Sequence, residues 1–365
     1  LSYGKIIIKP ADKLVGLVPE SFETYQIVAP DDIIIRCTDL QNDQTSLRTG
    51  LANDHGIITS AYLNLKVKGL YSARYLHYYL HALDTTKVIY RFGSGLRQNL
   101  SYLDFKRLPV FDISWETQAA IANFLDTKTA QIDEAIAIKE QQIALLNERK
   151  QILIQQAVTQ GLDPTVPMKD SGVEWIGKIP EHWKLMSLRY AFDFLNNRRI
   201  PLSAPEREKR QGEYPYYGAS GIIDYVDDYI YDEDLILIAE DGANLLSKST
   251  PLAFVATGKY WVNNHAHIIK PKFKGFKYWA ELLSGLDYTT YISGAAQPKL
   301  TRENLGSVTL TVPPHNEIEE ITSYIVNIEP AINRAVDLLK DQINKLKEYK
   351  TTLINSAVTG RIKVV

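Results

Sequence analysis

The amino-acid sequence predicts a mixed α/β (α+β) protein with two globular domains, each followed by one long helix. The two helices are predicted to form an antiparallel coiled coil that separates the domains, with a pseudo-two-fold internal repeat. Three observations predict this fold class. The chain repeats itself at an offset of about 200 residues, and two long segments carry a heptad pattern of apolar residues. The regions between those segments read as short strands broken by turns.

The internal repeat is clearest in two aligned segments. Gln142–Lys150 matches Gln342–Lys350, and Leu153–Thr159 matches Leu353–Thr359, both without a gap. Solenoid units run about 20–50 residues, so a repeat of this length is a whole domain plus a helix, used twice. Such repetition suggests a molecule that meets its target at two places.

Composition limits the possible classes of protein. The length of 365 residues suits two domains with connecting elements. The single cysteine, Cys37, excludes disulfide scaffolds and cysteine-based zinc sites and favours a reducing cytoplasm. No apolar run is long enough to predict a membrane span. The net charge of −2 argues against coating of nucleic acid by bulk charge, although a basic face is compatible with it.

The first domain is predicted over residues 1–114. Ile33–Ile35 and Ile57–Ile58 read as strands, and a helix is expected near Ser72–Leu83. By the offset of the repeat, the opening segment of this domain would fall before Leu1. The domain is therefore expected to be shortened at its N-terminus.

The first spacer helix is predicted over residues 115–160 and the second over 315–361. In each, apolar residues recur at alternating steps of three and four for about five heptads, which is typical of a coiled-coil seam. The predicted seam residues are Leu125, Ile132, Ile136, Ile143, Leu146, Leu153, Ile325, Ile332, Val336, Leu339, Ile343, Leu346 and Leu353. Separate packing of each helix on its own domain is the alternative, but two matched seams in one chain favour pairing.

The predicted coiled coil has a length that bears on function. About 40 residues at a rise of 1.5 Å give a rod of roughly 60 Å. The face of B-DNA repeats about every 34–36 Å, so such a rod could hold two reading domains on neighbouring turns of duplex.

A linker is predicted over residues 161–182, since its Pro and Gly residues end the helix, and Trp175 and Trp183 are expected to pin it to a domain surface. The second domain then occupies residues 183–314 and reads as β-rich, with a short helix near Tyr278–Leu283. Its predicted strands lie at Ile222–Ile223, Leu235–Ile238, Ala253–Val255, Ala266–Ile269 and Val308–Leu310.

Charge is segregated along the second domain. Asp224–Asp241 contains no Lys or Arg, and Lys248–Lys277 contains no Asp or Glu. A duplex would attract the second run and repel the first, so the acidic run is expected to face away from DNA. Chance clustering on a solvated surface is the alternative.

Amide, hydroxyl and basic residues in and near these runs are the predicted DNA-binding positions. Asn and Gln can pair bidentately with adenine in the major groove, and Arg and Lys with guanine. Each residue alone could equally be an ordinary loop residue. The predicted positions are Arg36, Gln41, Asn42, Ser46, Arg48, Arg91, Arg97, Gln98, Asn99, Ser247, Lys248, Lys259, Asn263, Asn264, His265, Lys270, Gln297, Lys299 and Arg302.

No catalytic or metal-binding residue is predicted. The chain has no Gly-rich dinucleotide fingerprint and no Walker loop. His265 and His267 have no third ligand near them in the sequence, so a metal is not expected. Glu240 and Asp241 have no counterpart in the first domain, which favours a structural turn. A DNA-cleaving enzyme that uses these two carboxylates stays open as an alternative.

Longer motifs carry a resemblance to a known family. PVFDISWETQAAIANFLDTKTAQID, LIQQAVTQGLD and MKDSGVEWIGKIPEHWK lie in and around the first helix, and YWVNNHAHIIKP, QPKLTRENLGSVTLTVPP and LINSAVTGRI lie in the second half. In these segments the chain resembles the specificity (S) subunit of type I restriction–modification systems. The resemblance covers nearly the whole chain and is most specific at the linker and the helix ends.

The resemblance implies that each globular domain is a target-recognition domain for double-stranded DNA. It implies a bipartite asymmetric site, read one half per domain, and a non-catalytic subunit in the cytoplasm of a prokaryote. The implied partners are two methyltransferase (modification) subunits, which dock on the helices, and motor-nuclease restriction subunits. No cofactor is expected on this chain, since S-adenosylmethionine would be held by the methyltransferase subunit and ATP and Mg by the restriction subunit. A two-headed protein–protein interaction scaffold without DNA specificity is the alternative.

Overall fold

The computed structural model describes residues 6–8, 22–38, 47–92, 100–174, 176–247, 249–294 and 297–364. Its contacts divide the chain into two compact units. The first unit is Leu1–Gln141 with Leu338–Val365, and the second is Gln142–Asp337. Each long helix therefore contributes one half to each unit. The domain boundaries inferred from the sequence remain a prediction.

The globular part of the first unit is built from short antiparallel strands and one amphipathic helix. The strands are β1 (Gln26–Val28), β2 (Ile33–Arg36), β3 (Thr49–Leu51), β4 (Gly56–Ile58) and β5 (Tyr62–Leu65); the helices are α1 (Ala73–Thr85), α2 (Tyr102–Phe105) and the long α3 (Trp115–Gln160). β2 pairs with β3 and β5, and β1 pairs with β4. The predicted strands and helix of this region are confirmed.

Helix α1 packs against the long helices within the first unit. Ser72 caps its N-terminus by accepting a hydrogen bond from the backbone N–H of Tyr75. The Tyr78 hydroxyl donates to the Asp126 carboxylate of α3 at 2.7 Å, and Arg74 forms an ion pair with the same carboxylate. These polar contacts orient α1 on α3.

The second unit contains two four-stranded sheets and part of each long helix. Its strands are β6 (Met168–Asp170), β7 (Lys178–Pro180), β8 (Lys184–Ser187), β9 (Phe192–Phe194), β10 (Gln211–Gly218), β11 (Gly221–Val226), β12 (Tyr231–Asp232), β13 (Leu235–Ala239), β14 (Ala253–Ala256), β15 (Lys259–Val262), β16 (Ala266–Pro271) and β17 (Thr309–Val312). Its helices are α4 (Leu188–Ala191), α5 (Ala204–Lys209), α6 (Asn244–Ser247), α7 (Phe276–Gly285), α8 (Arg302–Ser307) and α9 (His315–Val358). The sheets have the strand orders β14-β13-β16-β9 and β11-β10-β15-β12, and β8 pairs with β17.

The position of strand β13 within its sheet explains why its sequence is a continuous apolar run. It lies between β14 and β16, and every one of its residues is buried. Ile236 and Ile238 pack into one apolar cluster, and Leu235 and Leu237 pack into a second. A strand covered on both faces needs apolar residues at every position, so it does not alternate. The predicted strands and short helix of this domain are confirmed, whereas β8–β10, β12 and β15 were not predicted.

The core of the second domain extends onto the long helices. Trp183 and Trp279 lie in one cluster with Ile154 of α3 and with Ile321 and Ile325 of α9. Trp183 is only 1% exposed, which confirms that it pins the end of the linker; Trp175 lies outside the described residues. The domain therefore cannot fold to its full core without these helix segments.

Within each unit the segments of α3 and α9 run antiparallel. In the first unit Lys350 Nζ contacts the Asp133 carboxylate at 2.7 Å, and Lys139 Nζ donates to the Gln342 amide oxygen at 2.6 Å. The partner numbers fall as the α3 numbers rise, as antiparallel pairing requires. In the second unit Lys150 Nζ donates to the Asn333 amide oxygen at 3.1 Å. The predicted fold class, a mixed α/β protein with an antiparallel helix pair, is confirmed.

All of the predicted seam residues are buried or half-buried. The buried ones are Leu125, Ile132, Ile136, Ile325, Val336, Ile343 and Leu353. The half-buried ones are Ile143, Leu146, Leu153, Ile332, Leu339 and Leu346. Their direct contribution to partner binding remains a prediction.

Within the described residues, no helix is both long enough and apolar enough to cross a lipid bilayer.

Two histidines on α1 are expected to make the stability of the first unit sensitive to acid. Burial lowers the pKa of His77 and of His81 on α1 to about 4, from about 6.5 in the unfolded chain. Because the folded state disfavours protonation, stability is lost as pH falls from about 6.5 towards 4, by up to about 1.4 kcal/mol per pH unit for each histidine. The protection of α1 amides against hydrogen exchange, corrected for the intrinsic exchange rate at each pH, should therefore fall over this range. His81→Gln should reduce the pH dependence, and an unchanged profile would contradict the assignment.

Candidate nucleic-acid interface

Four loops of the second domain lie at one edge of its sheets. β10, β13 and β15 end there, and β11 and β16 begin there, because Ala239 pairs with Ala266 and Gly218 pairs with Gly221. β10 and β15 are parallel neighbours, so their ends fall together. We call this region the loop edge and define it by residues 218–221, 240–247, 263–265 and 297–300.

Backbone hydrogen bonds tie the segments of the loop edge together. The N–H of Glu240 donates to the carbonyl of His265 at 2.9 Å, and the N–H of Leu300 donates to the carbonyl of Glu240 at 2.8 Å. The N–H of Asn263 donates to the carbonyl of Tyr217 at 3.0 Å, which connects the fourth segment. The loop edge is thus one connected surface.

The side chains that the loop edge exposes are mostly polar. Asn264, Gln297 and Ser247 are exposed, and the side chains of His265 and Lys299 are each 52% exposed. They offer amide, hydroxyl, imidazole and ammonium groups, which can pair with base edges or phosphates. These five predicted DNA-binding residues are brought together by the fold.

One predicted residue of this group has a different position. Asn263 is only 5% exposed, and its amide oxygen accepts a hydrogen bond from the N–H of His265 at 2.8 Å. The prediction that Asn263 reads DNA is therefore wrong in this arrangement. Its amide shapes the turn that presents Asn264 and His265, since an Asn side chain readily bonds backbone two residues on.

A buried polar cluster supports the loop edge from below. Glu240 Oε2 accepts a hydrogen bond from the Arg199 guanidinium at 2.5 Å, and Glu240 Oε1 lies 3.4 Å from Lys299 Nζ. Burial is the largest single effect on the pKa of Glu240 and raises it, but the hydrogen bond from Arg199, together with the charges of Arg199 and Lys299 and the neighbouring His267, outweighs burial and holds the pKa of this carboxyl below its usual value. Glu240 is therefore ionised at neutral pH and forms a stable ion pair with Arg199.

His267 is part of the same cluster. The Asn196 amide oxygen accepts from the N–H of Ile268, so its amide nitrogen is the group that donates to His267 Nδ1 at 2.8 Å. His267 Nε2 then donates to the carbonyl of Leu300 at 2.7 Å. Burial lowers the pKa of His267. The imidazole is therefore neutral, with its proton on Nε2, and it anchors the segment at 297–300.

Two lysines of the predicted basic run lie away from the loop edge. Lys259 begins β15, where its backbone lies opposite Asp232 of β12, and Lys270 Nζ contacts Glu233 at 2.8 Å. Both lysines lie at the ends of their strands that are opposite the loop edge. Arg302 begins α8, with its guanidinium 5.3 Å from the centre of the Phe194 ring.

The predicted separation of charge in space is wrong. Several carboxylates of the acidic run form ion pairs with arginines from elsewhere in the domain. The ion pairs are Arg207–Asp224 at 2.9 Å, Arg210–Asp227 at 2.8 Å, Arg198–Glu233 at 2.9 Å and Arg199–Glu240 at 2.5 Å. Asp241 contacts His265 at 2.9 Å. Glu240 and Asp241 thus have separate partners, Arg199 and His265, and do not form a pair of carboxylates on one site. Among the described residues, no group of three His, Cys, Asp or Glu side chains is placed to hold a metal ion.

The first unit contributes fewer described candidates. Arg48 is fully buried, and its guanidinium donates to the Thr38 carbonyl at 2.8 Å and to the Tyr90 hydroxyl at 3.1 Å. The prediction that Arg48 contacts DNA is therefore wrong, since its donors are used internally. Arg36 is half-buried at the end of β2, and Arg91 is exposed. The predicted positions that lie outside the described residues are Gln41, Asn42, Ser46, Arg97, Gln98, Asn99 and Lys248.

Arg199, Asn196 and His267 were not predicted as site residues. Arg198 and Arg199 were a weak signal of the buried polar cluster in the sequence. Two adjacent cations that follow an apolar strand need carboxylate partners in the fold. Which carboxylates they meet depends on β13, whose two ends hold Glu233 and Glu240. Only the assembled sheet supplies that information.

Comparison with known proteins agrees with this fold. Residues 180–348 match the family model described as the type I restriction modification DNA specificity domain. A putative type I restriction enzyme specificity subunit of Haemophilus influenzae is 32% identical over 134 residues, which cover 36% of this chain and 34% of that protein. The type I restriction enzyme EcoDI specificity subunit of Escherichia coli is 20% identical over 190 residues, which cover 51% of this chain and 40% of that protein. The matches thus span less than half of either relative.

A solved structure supports the fold over most of the chain. The solved chain comes from work on complex assembly and conformational transition of the type I R-M system. It superposes with a TM-score of 0.70 at 13% identity, covering 93% of this chain and 84% of that one. At this identity the likeness concerns the fold. The match over residues 180–348 confirms the predicted resemblance: this part of the chain is similar to the DNA specificity domain of type I restriction–modification systems.

Proposed function

We propose that the chain is the DNA-recognition subunit of a type I restriction–modification complex. In this proposal each globular domain reads one half of a bipartite asymmetric site. The two half-sites differ, because the two domains differ strongly in sequence. The subunit itself is non-catalytic, and it docks two methyltransferase subunits and the restriction subunits.

The loop edge is the observation that carries this proposal. It combines exposed amide, imidazole and hydroxyl groups with Lys299, on loops that are fixed by backbone hydrogen bonds. Ile222 and Ile223, which directly follow the turn of residues 218–221, are 46% and 52% exposed. Polar groups that read base edges and apolar groups that meet thymine methyls are the two kinds of contact that direct readout requires.

The electrostatics support a reader that works inside a larger complex. The net charge is −2, and the cations Arg198, Arg199, Arg207 and Arg210 are all paired with carboxylates. Phosphate contacts normally supply most of the affinity of a DNA-binding protein. Partner subunits would therefore supply much of the positive charge, while this chain supplies the base contacts.

The paired helices support a role in spacing and docking. They share an apolar seam and polar cross-links such as Lys350–Asp133. In the proposed complex the methyltransferase subunits bind S-adenosylmethionine, and the restriction subunits bind ATP and Mg. A base must leave the stack to be methylated, so these partners would distort the duplex that the two domains position.

Mapping of methylated adenines tests the proposal directly. The chain would be co-expressed with its cognate methyltransferase subunit, and the methylated positions would be mapped across the host genome. The expected result is a split motif with two unlike halves at a fixed spacing. Absence of any motif, despite a stable complex, would favour a protein–protein interaction scaffold.

A further inference from the structure

We propose that Glu240 is a positioning residue that sets the sequence specificity of the second domain. It acts without touching DNA, by holding the exposed loops of the loop edge in one geometry. This inference rests on the proposed function, because it assigns a role to a residue beneath the surface that would read the second half-site.

The main chain of Glu240 connects two reading segments. Its N–H donates to the carbonyl of His265 at 2.9 Å, and its own carbonyl accepts from the N–H of Leu300 at 2.8 Å. The first bond fixes the turn at 263–265, and the second fixes the segment that carries Gln297 and Lys299. A shift of Glu240 would therefore move both segments.

The side chain of Glu240 also holds these two segments, through contacts separate from those of its main chain. Its carboxylate holds Arg199, whose guanidinium also donates to the carbonyl of Ala266 at 2.8 Å and to that of Asn264 at 3.2 Å. The other carboxylate oxygen lies 3.4 Å from Lys299 Nζ. Through Arg199 the carboxylate thus determines the position of the Asn264 backbone, and it reaches Lys299 directly.

The ion pair is poorly accessible to water. The side chains of Arg199 and Glu240 are 16% and 12% exposed. Desolvation makes such a pair a weak source of stability compared with apolar packing, but its directional hydrogen bonds specify one geometry. Base readout needs side chains held within about 0.5 Å of their productive positions. A positioning role therefore accounts for two charged groups buried here.

The chain provides a matched control at the other end of β13. Glu233 also binds one arginine and one lysine, at 2.9 Å to Arg198 and 2.8 Å to Lys270. Its side chain is 29% exposed, and it lies at the end of the strand away from the loop edge. The same substitution, Glu to Ala, can thus be made at both ends of β13. The loop edge lies at only one of those ends.

The test compares Glu240→Ala with Glu233→Ala in the full chain, assembled with its methyltransferase subunit. The wild-type motif is mapped first, and methylation rates are then measured on duplexes with single base changes in either half. Glu240→Ala should lower discrimination in the second half-site about tenfold or more, because it removes hydrogen bonds between charged groups. Discrimination in the first half-site should stay unchanged, and Glu233→Ala should change neither.

A graded variant separates positioning from simple loss of structure. Glu240→Gln keeps an oxygen that can accept from Arg199, so it should retain most of the discrimination that Glu240→Ala loses. Equal losses in both half-sites, equal effects of Glu240→Ala and Glu233→Ala, or unchanged discrimination would each overturn the inference and leave the wild-type motif in place. A wild-type complex without any motif would instead overturn the proposed function and the inference with it.

Discussion

Replacing Asn264, His265 and Gln297 together by alanine is expected to abolish recognition of the second half-site. All three side chains are exposed on the loop edge, so their removal leaves the core of the domain intact. A good bidentate contact to a base is worth about 1–3 kcal/mol of discrimination, so the loss of several should lower the methylation rate at the motif about 100-fold or more. The measurement is the rate of adenine methylation by the assembled complex on duplexes that carry the mapped motif.

The control for this prediction uses cations at the opposite end of the same strands. Lys259→Ala with Lys270→Ala should lower methylation much less, because Lys270 is paired with Glu233 and Lys259 lies over the Tyr229 ring, 4.6 Å from its centre. Unaltered thermal unfolding would show that the triple variant is folded. If the lysine variant lost as much activity as the triple variant, the reading surface would lie at the other end of the sheets.

Replacing Asp84 by alanine is expected to unfold the globular part of the first unit. Asp84 is fully buried, and its carboxylate accepts a hydrogen bond from the N–H of Arg48 at 2.5 Å. Burial raises the pKa of Asp84, and the charge of Arg48 is among the effects that oppose this rise. Removal of the carboxylate leaves the buried N–H of Arg48 without this acceptor, at a cost of about 1–3 kcal/mol.

Hydrogen exchange resolved along the chain would measure this effect. Protection of α1 should be lost in Asp84→Ala, while protection of α7 in the second unit should be retained. Asp112→Ala, at an exposed position of the first unit, is the control and should change neither helix. In the assembled complex, recognition of the first half-site should fail. Retained protection of α1 would show that the buried hydrogen bond between Arg48 and Asp84 contributes little to folding.

The contrast between Arg48 and Asn264 shows where sequence reasoning stops. Both are polar residues in predicted loop regions, and both were predicted to bind DNA. Arg48 is buried because the Thr38 carbonyl and the Tyr90 hydroxyl accept its donors, whereas Asn264 is exposed at the tip of a turn shaped by Asn263. For both residues the sequence offered the same signal, a polar side chain in a predicted loop. Only the partners that the fold brings near decide whether a polar group faces inward or outward.

Charge patterning shows the same limit. The acidic run Asp224–Asp241 and the basic run Lys248–Lys277 are separate in the sequence. In the fold, four arginines that precede the acidic run pair with carboxylates in it, from Arg207 with Asp224 to Arg199 with Glu240. Coulomb attraction acts over a few ångströms of space and not along the chain. Runs of one sign therefore predict the composition of a surface but not its potential.

The sequence by itself determined the two long helices, their apolar seams, the main strands of the second domain and the resemblance to type I specificity subunits. These features depend on local patterns of apolar residues. Apolar residues recur every 3.5 residues along a coiled-coil seam, and they form an unbroken run in a central strand such as β13. Only the tertiary structure brought four distant loops to one edge, buried Arg48 and Asn263, and placed Glu240 beneath the exposed Asn264 and His265. Those outcomes depend on contacts between residues far apart in the chain, such as Arg199 and Glu240, and only the folded sheets create them.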